Sequence, residues 1–376
     1  MMRAALQPAG AEPRPIAVRA PRAQEAVTGG VAAGLLALTA AALFNGGASS
    51  EKPVFWVGAA ALTLLFVACA AAATGVVPLP RLTALGALST AFVVTFVLWN
   101  GATLLWSIAP DRSWAYFNRG LVYLAFLGLG LFVGALHERA PTMVAGALLA
   151  LVTAALAWGL AGKVVPALFP DGARIARMRE PVGYWNALAL LFAVGIPLTL
   201  WLAGELRSRP RLRALPAVLV YLLVVGLLLT YSRGGTLVAL IAVAAWLVAS
   251  RERQSSFVAL VAAVPVALVL SLWAFAQAGI ASDGQPHEAR ERDGANLGLA
   301  LIIGTAIVWT LAVAVGRLSE RVRGRRKYRG RLDRRGALGV AAVLVAVLAL
   351  AFGRDAGTWV GTQIDEFKNP PDVLLI

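Results

Sequence analysis

The sequence predicts an all-α, polytopic transmembrane helical bundle of about eleven spans, with a cytoplasmic N-terminus and an extracytoplasmic C-terminus. Composition is the first reason: of 376 residues, 59% are hydrophobic and 14% charged, where a soluble domain is about half apolar and about a quarter charged. The second is spacing, because the charges are bunched and leave repeated apolar runs of about 18 residues or more, enough to cross the hydrocarbon core as a helix. The third gives direction. Lysine and arginine collect in alternate connections, as retention of positive charge on the cytoplasmic side requires.

In chain order, residues 1–25 form a basic cytoplasmic tail carrying Arg3, Arg14, Arg19 and Arg22. The transmembrane domain covers 26–352, with spans at 26–44, 54–75, 83–105, 116–136, 143–162, 187–204, 214–231, 235–250, 257–278, 295–316 and 336–352. Residues 353–376 start an extracytoplasmic loop. The spans are rich in Ala, Leu and Val with scattered Gly, as closely packed membrane helices require. Continuous runs rather than period-two alternation argue against an outer-membrane barrel. The basic region before the first span is long and the rest of the chain polytopic, so an uncleaved first helix is expected rather than a signal peptide. No internal repeat of fixed period stands out, which disfavours inverted-repeat transporters.

With the N-terminus inside, the cytoplasmic segments are the tail, 76–82, 137–142, 205–213, 251–256 and 317–335. They hold 22 of the 34 Lys and Arg residues but only 7 of the 19 Asp and Glu residues. Ten cations between Arg317 and Arg335 resist translocation, and the same cluster suits contact with anionic membrane lipids. The net charge of +15 needs no nucleic-acid partner, because its cations sit between apolar spans. A single cysteine, Cys69, excludes an internal disulfide and a thiolate metal cluster. The sequence has no P-loop, GxSxG, HExxH or paired CxxC motif, and no metal or other cofactor is expected.

Chemistry is sought where charges break these rules. Tyr231-Ser232-Arg233-Gly234-Gly235 interrupts about 35 residues of otherwise apolar sequence. Basic clusters flank it on both sides, so an even number of crossings makes a helical hairpin with Arg233 at its outer tip, and the two glycines are expected to permit the reversal. The plainer alternative is an arginine snorkelling at a helix end. The outer segment Lys163–Asn186 carries Lys163, Arg174, Arg177 and Arg179 on the side usually depleted of cations. With Arg233 these could converge on a phosphate-rich headgroup, for which the guanidinium fork is suited. Lipid-headgroup anchoring, with Tyr184 and Trp185 as interface aromatics, is the structural alternative. In the outer loop 281–294, His287 lies among Glu288, Glu291 and Asp293, where it is either a general base or part of a solvated mixed-charge loop. Trp106 and Trp114 around Asp111 and Arg112 read as interface anchors, and His137 is assigned no role.

Three pieces in this order resemble the O-antigen ligase and O-antigen polymerase superfamily of bacterial envelope glycan enzymes. The segment from Arg179 through Gly183-Tyr184-Trp185-Asn186 precedes a span containing Pro197, Thr230-Tyr231-Ser232-Arg233-Gly234-Gly235 follows an apolar span, and Trp359 leads to Asp365-Glu366-Phe367-Lys368. The resemblance implies a multi-pass enzyme of the bacterial cytoplasmic (inner) membrane. Its donor is a polyprenyl-pyrophosphate-linked glycan and its acceptor a lipid or another glycan. It further implies that Arg233 with Arg179, Arg177 or Arg174 binds the pyrophosphate, while Ser232, Tyr231, Asn186 and Tyr184 shape the pocket. The family's large outer loop also carries a histidine proposed as a base. No histidine follows His287 here, so the sequence ending at Ile376 is expected to be C-terminally truncated.

Two other classes compete. A lipid-linked glycan flippase would place charges along a pathway inside the spans, whereas here almost every charge falls at a span boundary. A peptidoglycan polymerase of the shape-elongation-division type would call for an aspartate in an outer loop, for which Asp171 and Asp283 are available.

Overall fold

The computed structural model describes residues 21–136, 139–169, 174–206, 209, 212–250 and 253–325. Among them there is no strand; the chain forms α1 (Pro21–Phe44), α2 (Glu51–Ala73), α3 (Ala84–Ala102), α4 (Pro110–Leu136), α5 (Ala140–Val164), α6 (Trp185–Glu205), α7 (Leu215–Leu229), α8 (Arg233–Ala249), α9 (Arg253–Phe275), the short α10 (Ala278–Ala281) and α11 (His287–Arg325). The expected tail to residue 20, the span 336–352, the loop 353–376, His137, Asp171 and the basic residues 326–335 lie outside the described residues.

Among the described residues, eight helices are long and apolar enough to cross a membrane: α1 to α6, α9 and α11. This is a multi-pass membrane architecture. Two more of the expected spans form shorter apolar helices, α7 with 15 residues and α8 with 17. At a rise of about 1.5 Å per residue they reach about 22 and 26 Å, less than the roughly 30 Å hydrocarbon core. Hydropathy alone extends the end of α7 through Thr230 and Tyr231, whereas α8 starts two residues before the expected 235, at Arg233. The opposite discrepancy occurs at α11, which runs 39 residues from His287, about 58 Å of helix. The expected mixed-charge loop 281–294 is therefore largely its first two turns. Glu288 lies in that first turn, where the helix dipole favours a carboxylate, and His287 Nε2 lies 3.1 Å from Glu291 Oε1 one turn on.

The chain divides into two compact units, Met1–Ala41 with Ser50–Pro141, and Ala42–Ser49 with Thr142–Ile376. In the first, α2 and α3 both pack on α4. Its core is a narrow seam of Val31, Ala61, Ala68, Ala125, Leu129, Phe132 and Val133. In the second, α7 is central, touching α6, α9 and α11, while α8 packs mainly on α6. Nearly every residue of α7 from Pro216 to Leu229 that faces a neighbour is buried, and Phe192, Leu188 and Leu200 of α6 are sealed against it. A helix enclosed to this extent presents little surface to a bilayer, which relaxes the length that α7 needs.

Candidate functional site

In the second unit, three connections meet at one end of the helices: 165–184 between α5 and α6, 230–232 between α7 and α8, and 276–286 between α9 and α11. The first holds most of the cations. It leaves α5 through a 3-10 turn at Pro166–Leu168 that packs on α11. Gly294 of α11 makes this approach possible, since a Cβ there would stand 2.5 Å from the Lys163 carbonyl oxygen.

From Arg174 to Met178 the chain is not helical, so its backbone groups need partners other than a helical ladder. They find them on several elements. The Arg174 carbonyl, on a residue with φ of 47°, accepts the Gly284 N–H at 2.9 Å. The Ala176 N–H donates to Asp283 Oδ1 at 2.6 Å, and the Ala176 carbonyl accepts from Lys163 Nζ. The Met178 N–H donates to the Leu229 carbonyl at the end of α7, at 2.9 Å. Ala176 and Met178 are buried, whereas Arg174 and Arg177 are exposed and Arg179 is half-buried. Burial alternates along the stretch from Ala176 to Arg179. Two inward anchors thus set Arg177 and Arg179 outward together.

Each arginine also has a protein contact. Arg177 lies over the Trp185 ring at 5.0 Å, an arrangement that leaves the in-plane N–H donors of the guanidinium for another group. Arg179 Nε stands 3.7 Å from Glu180 Oε1. The chain then turns at Glu180–Gly183, where the Glu180–Pro181 peptide is cis, Gly183 has φ of 81° and its N–H donates to the Arg179 carbonyl at 2.8 Å. α6 begins directly after this turn, and exposed Asn186 donates to the Tyr184 hydroxyl at 2.7 Å.

The α7–α8 reversal differs from the glycine hairpin expected. Tyr231 makes it, with φ of 56°, and neither Gly234 nor Gly235 has a positive φ. Both glycines belong to the first turn of α8. Gly235 is needed for a different reason: a Cβ there would overlap the Ala189 methyl of α6. The first turns of α6 and α8 consequently lie side by side. Ser232 caps α8, its Oγ accepting the Gly235 N–H at 3.0 Å, and Arg233 is the exposed first residue of the helix. A cation there opposes the helix dipole, so its presence at two adjoining helix N-termini builds a concentrated positive potential.

The Tyr231 hydroxyl is buried and has no hydrogen-bond partner among the described residues. Its ring packs on Phe275 of α9 at 5.0 Å. Burial, with the Asp283 carboxylate adding to it, pushes the phenol above its ordinary value of 10.0. Asp283 and Tyr231 therefore share one electrostatic environment. His287 is exposed at the start of α11 and paired with Glu291. Asp293 is buried, accepting from the Gly279 N–H at 2.9 Å and from Arg292 Nε at 3.0 Å. Among the described residues no group of three His, Cys, Asp or Glu side chains is placed to hold a metal ion.

The arginine segment and the Tyr231–Arg233 junction, both singled out from sequence, are thus joined through Met178 and Leu229. Lys163, grouped there with the outward cations, donates to a backbone carbonyl. Asp283, considered only as a competing class's aspartate, proves to be hydrogen-bonded into the arginine segment; its single-letter context carries no signal of that. Comparison with family models, with curated proteins and with solved structures finds no match.

Proposed function

We propose that this chain is a membrane glycosyltransferase of ligase or polymerase type. It transfers a polyprenyl-pyrophosphate-linked glycan to an acceptor hydroxyl on a lipid or another glycan, at the outer face of the bacterial cytoplasmic membrane. In this reading the N-terminus is cytoplasmic and the three converging connections face outward. The observation that carries it is the Met178–Leu229 hydrogen bond, which holds the segment bearing Arg174, Arg177 and Arg179 against the junction bearing Arg233, beside the paired first turns of α6 and α8.

The chemistry follows from charge. As the acceptor oxygen bonds to the anomeric carbon, the bond from that carbon to the pyrophosphate breaks and its electron pair leaves with the phosphate. The acceptor proton passes to a base. A leaving group that is already a stable anion gains most from cations placed where its charge grows. Arginine forks supply these in bidentate form, and helix N-termini add N–H donors and dipole. Asn186 and Tyr184 are exposed beside the same place and supply polar contacts to the glycan, while Ser232, as the cap of α8, and Tyr231, packed on Phe275, shape the junction from within.

The test is transfer of a radiolabelled lipid-pyrophosphate glycan by protein in proteoliposomes. Replacing Arg233 or Arg179 by Ala is expected to lower the rate on the order of 100-fold, as loss of one transition-state charge partner does, with membrane insertion unchanged. Full transfer in both variants would remove the site assignment. Translocation of the lipid-linked glycan without glycosidic bond formation would replace the whole reading with a flippase.

A further inference from the structure

The arginines can act together only if the backbone between them is held, and that backbone has no helix or sheet ladder of its own. Its anchors come from far apart in the sequence: Lys163 from α5, Leu229 from α7, and Asp283 with Gly284 from the α9–α11 connection. Asp283 differs from the rest because it is a charged side chain accepting from a backbone N–H, at 2.6 Å. Bonds of that kind are stronger than neutral ones. The next residue contributes a second bond, Gly284 N–H to the Arg174 carbonyl. Asp283 and Gly284 therefore clasp the segment at positions 174 and 176, on either side of Ile175 and immediately before Arg177.

Three other described carboxylates of this unit are committed elsewhere. Glu180 faces Arg179, Glu291 faces His287, and buried Asp293 binds the Gly279 N–H and Arg292. Glu205 is the last residue of α6, at the opposite end of that helix from Trp185 and Asn186. Asp283 is also exposed, so a wholly buried structural role does not account for its place. Its charge reaches the Tyr231 phenol, which ties the clasp electrostatically to the junction that carries Arg233.

We infer that Asp283 is the positioning residue of the anion site: by accepting the Ala176 N–H it fixes the non-helical segment so that Arg177 and Arg179 are presented together beside the α7–α8 junction. The inference rests on the pyrophosphate-binding reading above. Asp283 acts through the backbone and makes no contact with the ligand. An asparagine at 283 retains a carbonyl oxygen able to accept the same N–H, whereas alanine retains none.

The experiment uses the full chain in lipid nanodiscs, with D283A and D283N compared to wild type. Amide hydrogen exchange is read over residues 174–178, with the Phe192 region of α6 as the folding control, and binding is read with undecaprenyl pyrophosphate as the probe. Loss of a charge-assisted bond implies about tenfold faster exchange at Ala176 and about tenfold weaker probe binding in D283A, with D283N close to wild type in both. Unchanged exchange in D283A overturns the clasp, and faster exchange with unchanged affinity overturns the positioning role. A D283N protein that keeps its protection but binds as poorly as D283A also overturns it, since charge and not placement would then be responsible. If wild-type protein does not bind the probe while orthodox folding controls hold, it is the pyrophosphate reading that fails, and the exchange comparison still decides the clasp.

Discussion

The first unit turns many of its aromatic side chains outward, whereas the second seals several of its large side chains in its core. Phe66 of α2 and Phe92 of α3 are 73% and 76% exposed, and Phe55, Trp56, Phe96 and Trp99 are exposed with them. In the second unit Phe192, Tyr221, Leu188 and Leu223 are fully buried. Glycines at close approaches occur in both units, Gly58 and Gly101 of the first among them. Gly130 and Gly134 of α4 have nothing within reach of an added Cβ, while Gly195, Gly226, Gly235 and Gly294 each meet a neighbour. Apolar surface facing lipid costs nothing in a bilayer, so helices can remain loosely joined there. A polar site needs walls that do not move, and the unit with the interlocked core is the one in which the arginine segment is anchored.

Two pairs of substitutions and one titration sharpen that contrast. The largest effect is expected from Phe192→Ala, which empties a sealed position and should cost about 3–5 kcal/mol, against little change for Phe92→Ala; thermal unfolding in detergent distinguishes them. Equal losses would mean that Phe92 is also enclosed by protein. Next, Gly235→Ala pushes α8 away from Ala189 of α6 and should destabilise by about 1–3 kcal/mol, whereas Gly130→Ala on α4 should be neutral or stabilising because it only restricts the unfolded chain. The pair should separate in melting temperature, and G235A should also weaken transfer by displacing Arg233.

The smallest effect is a titration. Burial and the Asp283 charge both favour the neutral Tyr231 phenol, so its folded value lies above the unfolded one. The unfolded chain then loses this proton first as pH rises. The associated stability is complete below about pH 10 and is lost as pH climbs through the folded value. Ultraviolet difference titration should show a late-ionising tyrosine component that shrinks by one residue in Tyr231→Phe. Its ionisation should move partway back towards 10.0 in Asp283→Asn, because burial remains and the charge is removed. A midpoint unaltered by the aspartate change would separate the two groups.

Helix existence was legible in the residues because a long apolar run has one low-energy form in a membrane, with every backbone group bonded within its own segment. Helix length was less so. The ends of α7 are hidden by Thr230 and Tyr231, which continue the apolar pattern, and the start of α11 is hidden by charges that a helix carries as readily as a loop. At the site, Arg233 and the arginine segment stood out as misplaced cations. Tyr231 as the turning residue did not, since a tyrosine with positive φ has no signature and the adjacent glycines offered a more obvious pivot. Gly235 was noticed for the wrong reason; its missing Cβ serves the neighbour on α6.

Composition and charge spacing by themselves determined that this is a helical multi-pass membrane protein, and which arginines are out of place. Those properties are local, set by the transfer of each side chain and backbone group between water and lipid. Only the tertiary structure decided that Arg174–Arg179 meets the α7–α8 junction, that Asp283 clasps it, and that the first turns of α6 and α8 adjoin. These depend on single hydrogen bonds and close approaches between residues up to 110 positions apart, as in the bond from Gly284 to Arg174. No pattern of hydrophobicity along one chain records them.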